Sequence, residues 1–157
     1  KPVVLVFFGD HQPSIASFYN DWLTPDDNGL VHQERAHTTS YMIYANYDVA
    51  GATTGNVEIS STNYLAADLA QLIGMPLTDY QKAELVMQTT DVPAINALGY
   101  QDANGTWHDI SETSSSSSGA AKLASDLQIL QYHQLFSDGI HYQTGAGYSG
   151  TVWGRLD

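Results

Sequence analysis

The pattern of apolar positions is uneven along the chain, and its densest point lies near the start. Val3 to Phe8 are six apolar residues in succession, three of them Val. A run this short, β-branched and aromatic reads as a strand buried on both faces, the kind found inside a largely parallel sheet. It stops at Gly9, and Pro13 forbids a continuing central strand, so the stretch from Pro13 to Trp22 can start a helix, with Ile15 to Leu23 as a short amphipathic turn or helix. Asp26 to Gly29 is a turn, and Leu30 to Thr39 is polar enough to read as a solvated loop. Tyr41 to Tyr47 (YMIYANY) is a second strand and Gly51 to Gly55 a flexible loop.

The period then changes from two to about 3.6. Tyr64, Leu65, Leu69, Leu72 and Ile73 share one helical face over Thr62 to Ile73, with Ser60 or Ser61 as the cap and Gly74 and Pro76 closing the helix. Thr78 followed by Gln81 has the spacing of a capping box for a second helix, Asp79 to about Gln88. Val92 to Asn96 is an extended or turn segment, and Gln101 to Asp109, with Asp102-Ala103-Asn104-Gly105 inside it, reads as a hairpin-like turn carrying Trp107. Ser114 to Ser118 is a low-complexity linker. Leu123, Leu127, Leu130 and Phe136 mark a last helix, Ala120 to Phe136, in which His133 reads as a partly exposed residue. The tail after Tyr142 carries no clear signal. The whole is an α/β chain.

At 157 residues there is room for one domain with a sizeable core. Charge narrows the partners: 17 Asp and Glu against 5 Lys and Arg give a net −12, which argues against nucleic acid, because phosphate binding needs clustered basic residues. Bound divalent cations would offset part of that charge. With no cysteine, disulfides, thiol catalysis and Cys-zinc sites are excluded, in keeping with an exported bacterial protein. No run approaches the roughly 18 apolar residues of a membrane span. A central-type strand directly after Lys-Pro suggests a piece of something longer.

The candidate chemistry sits where the first strand stops. Gly9 is followed by Asp10 and His11, a carboxylate beside an imidazole at the carboxyl end of a strand, where open α/β sheets bind ligands. One reading makes Asp10 the cap of the next turn and His11 its ordinary partner. The other makes both ligands of Mn²⁺, Zn²⁺ or Fe²⁺, and the strand before them and Pro-Ser after them favour it. Two ligands do not complete a site. His32, Glu34, Arg35 and His37 form a second polar group, but no spacing among them matches a ligand motif. Asp102, Asn104 and Asp109 have a trace of a calcium loop without its closing Glu, and read as a plain turn.

Taken in order, VVLVFFGDHQPS, TTSYMIYANYD, ISSTNYLAADLAQLIGMPLTDY, VPAINALGY and LQILQYHQLFSDGIHY resemble the carboxyl-terminal part of the lipoteichoic acid synthase-like sulfatases, phosphoglycerol transferases of the alkaline phosphatase superfamily. The likeness covers about Val3 to Tyr142, with residues 143–157 as a tail of unclear role. It implies a three-layer α/β/α sandwich around a mostly parallel sheet, tethered upstream by membrane helices to the outer face of a bacterial membrane. It implies transfer of glycerol phosphate from phosphatidylglycerol to a growing polymer through a covalent threonine, with Mn²⁺ or a similar ion bound. Asp10 and His11 fall on the family's Gly-Asp-His and are carried over as metal ligands. The nucleophile, the other ligand carboxylate and the substrate-binding Arg and His precede that motif in the family, so this chain is expected to be inactive alone; Thr38 and Thr39 follow the motif and do not replace the nucleophile. A sulfatase or phosphodiesterase of the same superfamily, or a non-catalytic cell-surface glycan-binding module using its Tyr and Trp residues, are the alternatives. Without the rest of its domain, the first strand is expected to leave apolar surface that drives self-association.

Overall fold

In the computed structural model, which describes residues 1–13, 15, 21–22, 29–49, 55–114, 119–137, 141–144 and 148–151, the first apolar run forms β1 (Val4–Phe8). Helix α1 (Gly29–His37) follows, then β2 (Tyr41–Ala45), which pairs with β1 antiparallel, Val4 opposite Ala45 and Phe8 opposite Tyr41. The expectation of a strand buried on both faces is corrected here. The ribbon has two strands among the described residues, so its two faces are unlike. Val4, Val6 and Ile43 are half-buried, whereas Leu5 and Phe7 stand exposed opposite Tyr44 and Met42, Phe7 at 65%. Nothing described lies over that second face.

The stretch read as a solvated loop is also corrected: residues 29–37 are helical. Leu30 and Glu34, one turn apart, face the rest of the protein, and the Glu34 side chain is buried. Few apolar positions made the period faint.

The core lies downstream, where α2 (Thr62–Leu72), α3 (Asp79–Thr90) and α4 (Gly119–Tyr132) enclose a small antiparallel sheet of β3 (Ala94–Ile95), β4 (Gly99–Gln101) and β5 (Trp107–Asp109). Tyr64, Met87, Val92, Ile95, Tyr100, Ala124 and Leu127 pack together, and Tyr64, Val92, Ala124 and Leu127 are fully sealed. The Tyr64 hydroxyl, taken out of water with its ring, donates to the carbonyl of Val92 at 2.9 Å.

Helix ends follow the punctuation of the sequence. Met75 N–H bonds back to Ala70 and Gly74 N–H to Gln71, with Gly74 at φ 71°, the left-handed stop that glycine permits without strain. Thr78 and Gln81 form the expected reciprocal cap of α3, which runs two residues past Gln88. Ser61 stands at the start of α2 but does not cap it; its hydroxyl instead donates to the Ile95 carbonyl and accepts from the Ile95 N–H, tying the helix to β3. The β4–β5 hairpin turns at Gly105 (φ 80°), and Asp102 Oδ1 accepts from the N–H groups of Asn104 and Thr106, which makes this the plain turn expected. After α4 a π-helical turn (His133–Ser137) takes the place of the last turn expected of the helix, and His133 is exposed. Two further strands, β6 (His141–Thr144) and β7 (Tyr148–Thr151), form an antiparallel hairpin. The turn at Asp26, the loop at 51–54, the serines 115–118 and most of the expected helix at 15–23 lie outside the described residues.

The architecture is therefore mixed α/β with small antiparallel sheets. No parallel strand pair occurs among the described residues.

One buried group sets the pH dependence of this core. Glu84, 2% exposed, accepts a hydrogen bond from Tyr80, yet burial and the nearby Asp68 push its pKa up to about 7. Burial likewise raises Asp68 and Glu34, and the Asp102 contact raises His108. Each of these groups holds its proton more tightly folded than unfolded, so its contribution falls as pH rises through the folded pKa. The lowered carboxyls of Asp79, Asp102 and Asp109 act oppositely, losing their contribution only in more acidic solution. The melting temperature should fall between pH 5 and pH 8, and Glu84→Gln should flatten that fall by raising stability at pH 8 by about 3 kcal/mol at most. A steeper fall in the variant, read by thermal melts across that range, would contradict this account. Tyr64→Phe should cost about 1–2 kcal/mol, because it leaves the Val92 carbonyl without its donor.

Candidate functional site

Asp10 and His11 stand immediately beyond β1 and are held by their neighbours in the chain. On one side Gly9 donates from its N–H to the Ser40 carbonyl and accepts at its own carbonyl from the Thr39 hydroxyl. A Cβ at Gly9 would lie 3.0 Å from Thr39 Cβ, so a side chain there would press the two segments apart by a few tenths of an ångström. On the other side the Gln12 amide donates to the carbonyls of Arg35 and Thr38, at the carboxyl end of α1 where helix carbonyls lack partners. The two residues between these clamps project outward, Asp10 at 83% and His11 at 78% side-chain exposure.

Their mutual geometry is specific. The His11 N–H donates to Asp10 Oδ1 at 2.9 Å. His11 Nδ1 is 2.8 Å from the Gln12 carbonyl, which can only accept, so Nδ1 carries the proton in that contact and neutral Nε2 keeps its lone pair. Nε2 lies 3.6 Å from Asp10 Oδ2. Ligand bonds of about 2.1 Å place two neighbouring donor atoms of one ion about 3 to 3.5 Å apart, so the pair fits two positions of a single divalent cation after a small adjustment. A backbone carbonyl holding the other imidazole nitrogen is the usual support of a histidine ligand. Among the described residues no group of three or more His, Asp and Glu side chains could hold a metal.

The second polar group is not drawn together. His32 Nε2 pairs with Asp21 at 2.7 Å, His37 Nδ1 donates to the Gln33 carbonyl, and the Glu34 side chain is buried. Thr38 and Thr39 spend their hydroxyls on the backbone carbonyls of Glu34 and Gly9. Asp102 and Asp109 also serve local structure: Asp102 Oδ2 lies 3.0 Å from His108 Nε2, whose ring stacks on Tyr100, and Asp109 accepts from the Ser111 N–H and hydroxyl.

Residue types placed Glu34 in a solvated polar group; it is instead 3% exposed, its Oε2 accepting from Asn96 Nδ2 at 2.5 Å while Oε1 has no hydrogen-bond partner. Desolvation pushes its pKa up against the opposing effects of Asn96 and His37. It lines a cavity of about 420 Å³ that opens between Gly9, the end of α1, the start of α2 and the β3–β4 turn. The one-turn spacing of Leu30 and Glu34 was the available signal, and it is weak.

No protein-family model, curated protein or solved structure matches this chain.

The clamps give a direct expectation. Gln12→Ala should cost on the order of 1 kcal/mol and loosen the end of α1, because the Thr38 carbonyl just past the helix loses the Gln12 amide and the Arg35 carbonyl keeps only the Thr38 N–H. Faster amide exchange confined to residues 35–40 would show this; unchanged exchange there would mean that water replaces the glutamine at no cost.

Proposed function

We propose that this chain is the carboxyl-terminal part of a metal-dependent phosphoglycerol transferase of the lipoteichoic acid synthase-like sulfatase family, within an alkaline phosphatase-like α/β/α sandwich. The observation that carries the reading is the Asp10–His11 pair, a carboxylate oxygen and an imidazole nitrogen presented together at the carboxyl end of β1. In this reading Asp10 supplies the negative charge that holds a divalent cation, Mn²⁺ or a similar ion, and His11 supplies a neutral nitrogen whose orientation the Gln12 carbonyl fixes. The bound ion supplies Lewis-acid stabilisation of phosphoryl oxygens and of a nucleophilic hydroxyl. The remaining ligands and the threonine nucleophile belong to the preceding part of the domain, so the chain is inactive by itself. Phosphatidylglycerol and a glycerol-phosphate polymer are the substrates of the whole enzyme, which works on the extracellular face of a bacterial membrane. No helix among the described residues is long and apolar enough to cross a membrane, so an anchor would lie elsewhere.

The uncovered face of the β1–β2 ribbon supports the same reading. Leu5, Phe7, Met42 and Tyr44 are the side chains that a larger sheet and its covering layer would bury. Left alone, that face should drive self-association of the purified chain, and Phe7→Lys should disperse it. Light scattering showing a clean monomer at high concentration for the unaltered chain would remove this support.

The metal is tested by calorimetry with Mn²⁺. Two ligands should bind weakly, with a Kd on the order of 1 mM that rises further in Asp10→Ala and in His11→Ala. Tight stoichiometric binding that survives Asp10→Ala would refute the assignment. Turnover of a phosphodiester by the purified chain, abolished by His11→Ala, would refute the inactivity of the part alone.

A further inference from the structure

The cavity beside Glu34 has a chemistry that the metal pair does not explain. It measures about 420 Å³, within the ordinary range of small-molecule sites, and no Lys or Arg among the described residues lines it. In a chain of net charge −12, a pocket without a basic residue disfavours anions, free phosphates among them. A purely apolar ligand is equally poorly served, because the wall carries the Glu34 carboxyl, the His37 imidazole, and the Asn63 and Asn96 amides.

The polar groups divide into donors and acceptors. Asn96 is oriented by its own backbone: its Oδ1 accepts from the N–H groups of Leu98 at 2.7 Å and Gly99 at 3.0 Å, which leaves Nδ2 for other partners. One Nδ2 hydrogen goes to Glu34 Oε2, and an amide has a second to give. His37 Nδ1 meets the Gln33 carbonyl, so in the neutral ring Nε2 is the nitrogen with the lone pair. Glu34 Oε1 is sealed from water without a donor, a state that costs about 1–3 kcal/mol unless a donor arrives. Trp107 is among the lining residues, and an indole offers an apolar face and one N–H.

We propose that this cavity binds an uncharged saccharide, with Trp107 against the sugar's C–H face and Asn96 and His37 meeting its hydroxyls, while Glu34 holds Asn96 in place. Hydroxyls suit the mixture because each can donate to an acceptor and accept from an Asn N–H. A cationic amine suits it less: one carboxyl is present, and burial already favours its neutral form. The proposal goes beyond the phosphoglycerol transferase reading and does not depend on it. Mn²⁺ binding and sugar binding are separate measurements, and either can fail alone.

The test is saturation-transfer NMR on the whole chain, with methyl β-D-glucoside as the neutral probe, glucosamine as its cationic counterpart and glycerol 3-phosphate as an anion. The glucoside should bind with a Kd of roughly 1–10 mM and the anion should give no transfer. Trp107→Leu should weaken glucoside binding by roughly fivefold or more. Asn63→Trp, at an exposed position on the rim, should fill the cavity and abolish binding even where Trp107→Leu does not fold. No transfer from the glucoside would overturn the proposal. So would a signal undiminished in Asn63→Trp, or stronger binding of glucosamine that Glu34→Gln abolishes.

Discussion

A buried carboxylate joins the two halves of this protein. The β1–β2 ribbon with α1 forms one unit, and α2, α3 and α4 around the β3–β5 sheet form the other. Their junction contains Glu34, which reaches from α1 to Asn96 in the β3–β4 turn. A hydrogen bond is directional, so it fixes how α1 lies on the sheet in a way that apolar contact would not. Gly99 completes the fit: a Cβ there would meet the His108 carbonyl at 2.6 Å and Glu34 Oε1 at 3.2 Å, so the turn and the helix approach as closely as they do because that position has no side chain. The cavity is what this polar junction leaves open. Had the two units met through a continuous apolar seam, the space beside Glu34 would have closed.

The second unit was the more legible in sequence, and the reason is packing. Tyr64, Leu65, Leu69 and Leu72 repeat at the helical period because one face of α2 is covered by the core, and Thr78, Gln81 and Gly74 act through local backbone hydrogen bonds that need no tertiary context. Asp102-Ala103-Asn104-Gly105 announced its turn for the same reason. The first unit was less legible because its pattern reports on surface that this chain does not cover. Six consecutive apolar residues imply two buried faces, yet in the ribbon Leu5 and Phe7 are exposed. Helix α1 was hidden by its composition, since its most buried side chain is a glutamate and an apolar period cannot register that. Gly9 to His11 was singled out because a carboxylate and an imidazole stand next to each other in the chain itself. Glu34 was read as solvated because its role comes from Asn96, far along the chain, and no local spacing encodes that contact.

The buried acids show how much this small core tolerates. Glu84 and Asp68 lie on facing helices, each with a neutral hydrogen-bonding partner, Tyr80 and Gln88 respectively. Neutral partners satisfy lone pairs without cancelling charge, and both pKa values rise. With few basic residues in the chain, burial of acids is answered by amides and phenols, and Asn96 treats Glu34 in the same way.

The way Asp10 and His11 are mounted separates scaffold from chemistry. Every contact that anchors this corner of the fold is made by the residues on either side: Gly9 to Ser40 and Thr39, and Gln12 to the end of α1. The pair's own hydrogen bonds stay within residues 10–12. Its side chains are therefore interchangeable parts on a fixed bracket. A lineage could exchange them for other ligands, or lose them, while the corner kept its shape, and the bracket would persist as a structural trace after the chemistry it once carried had changed.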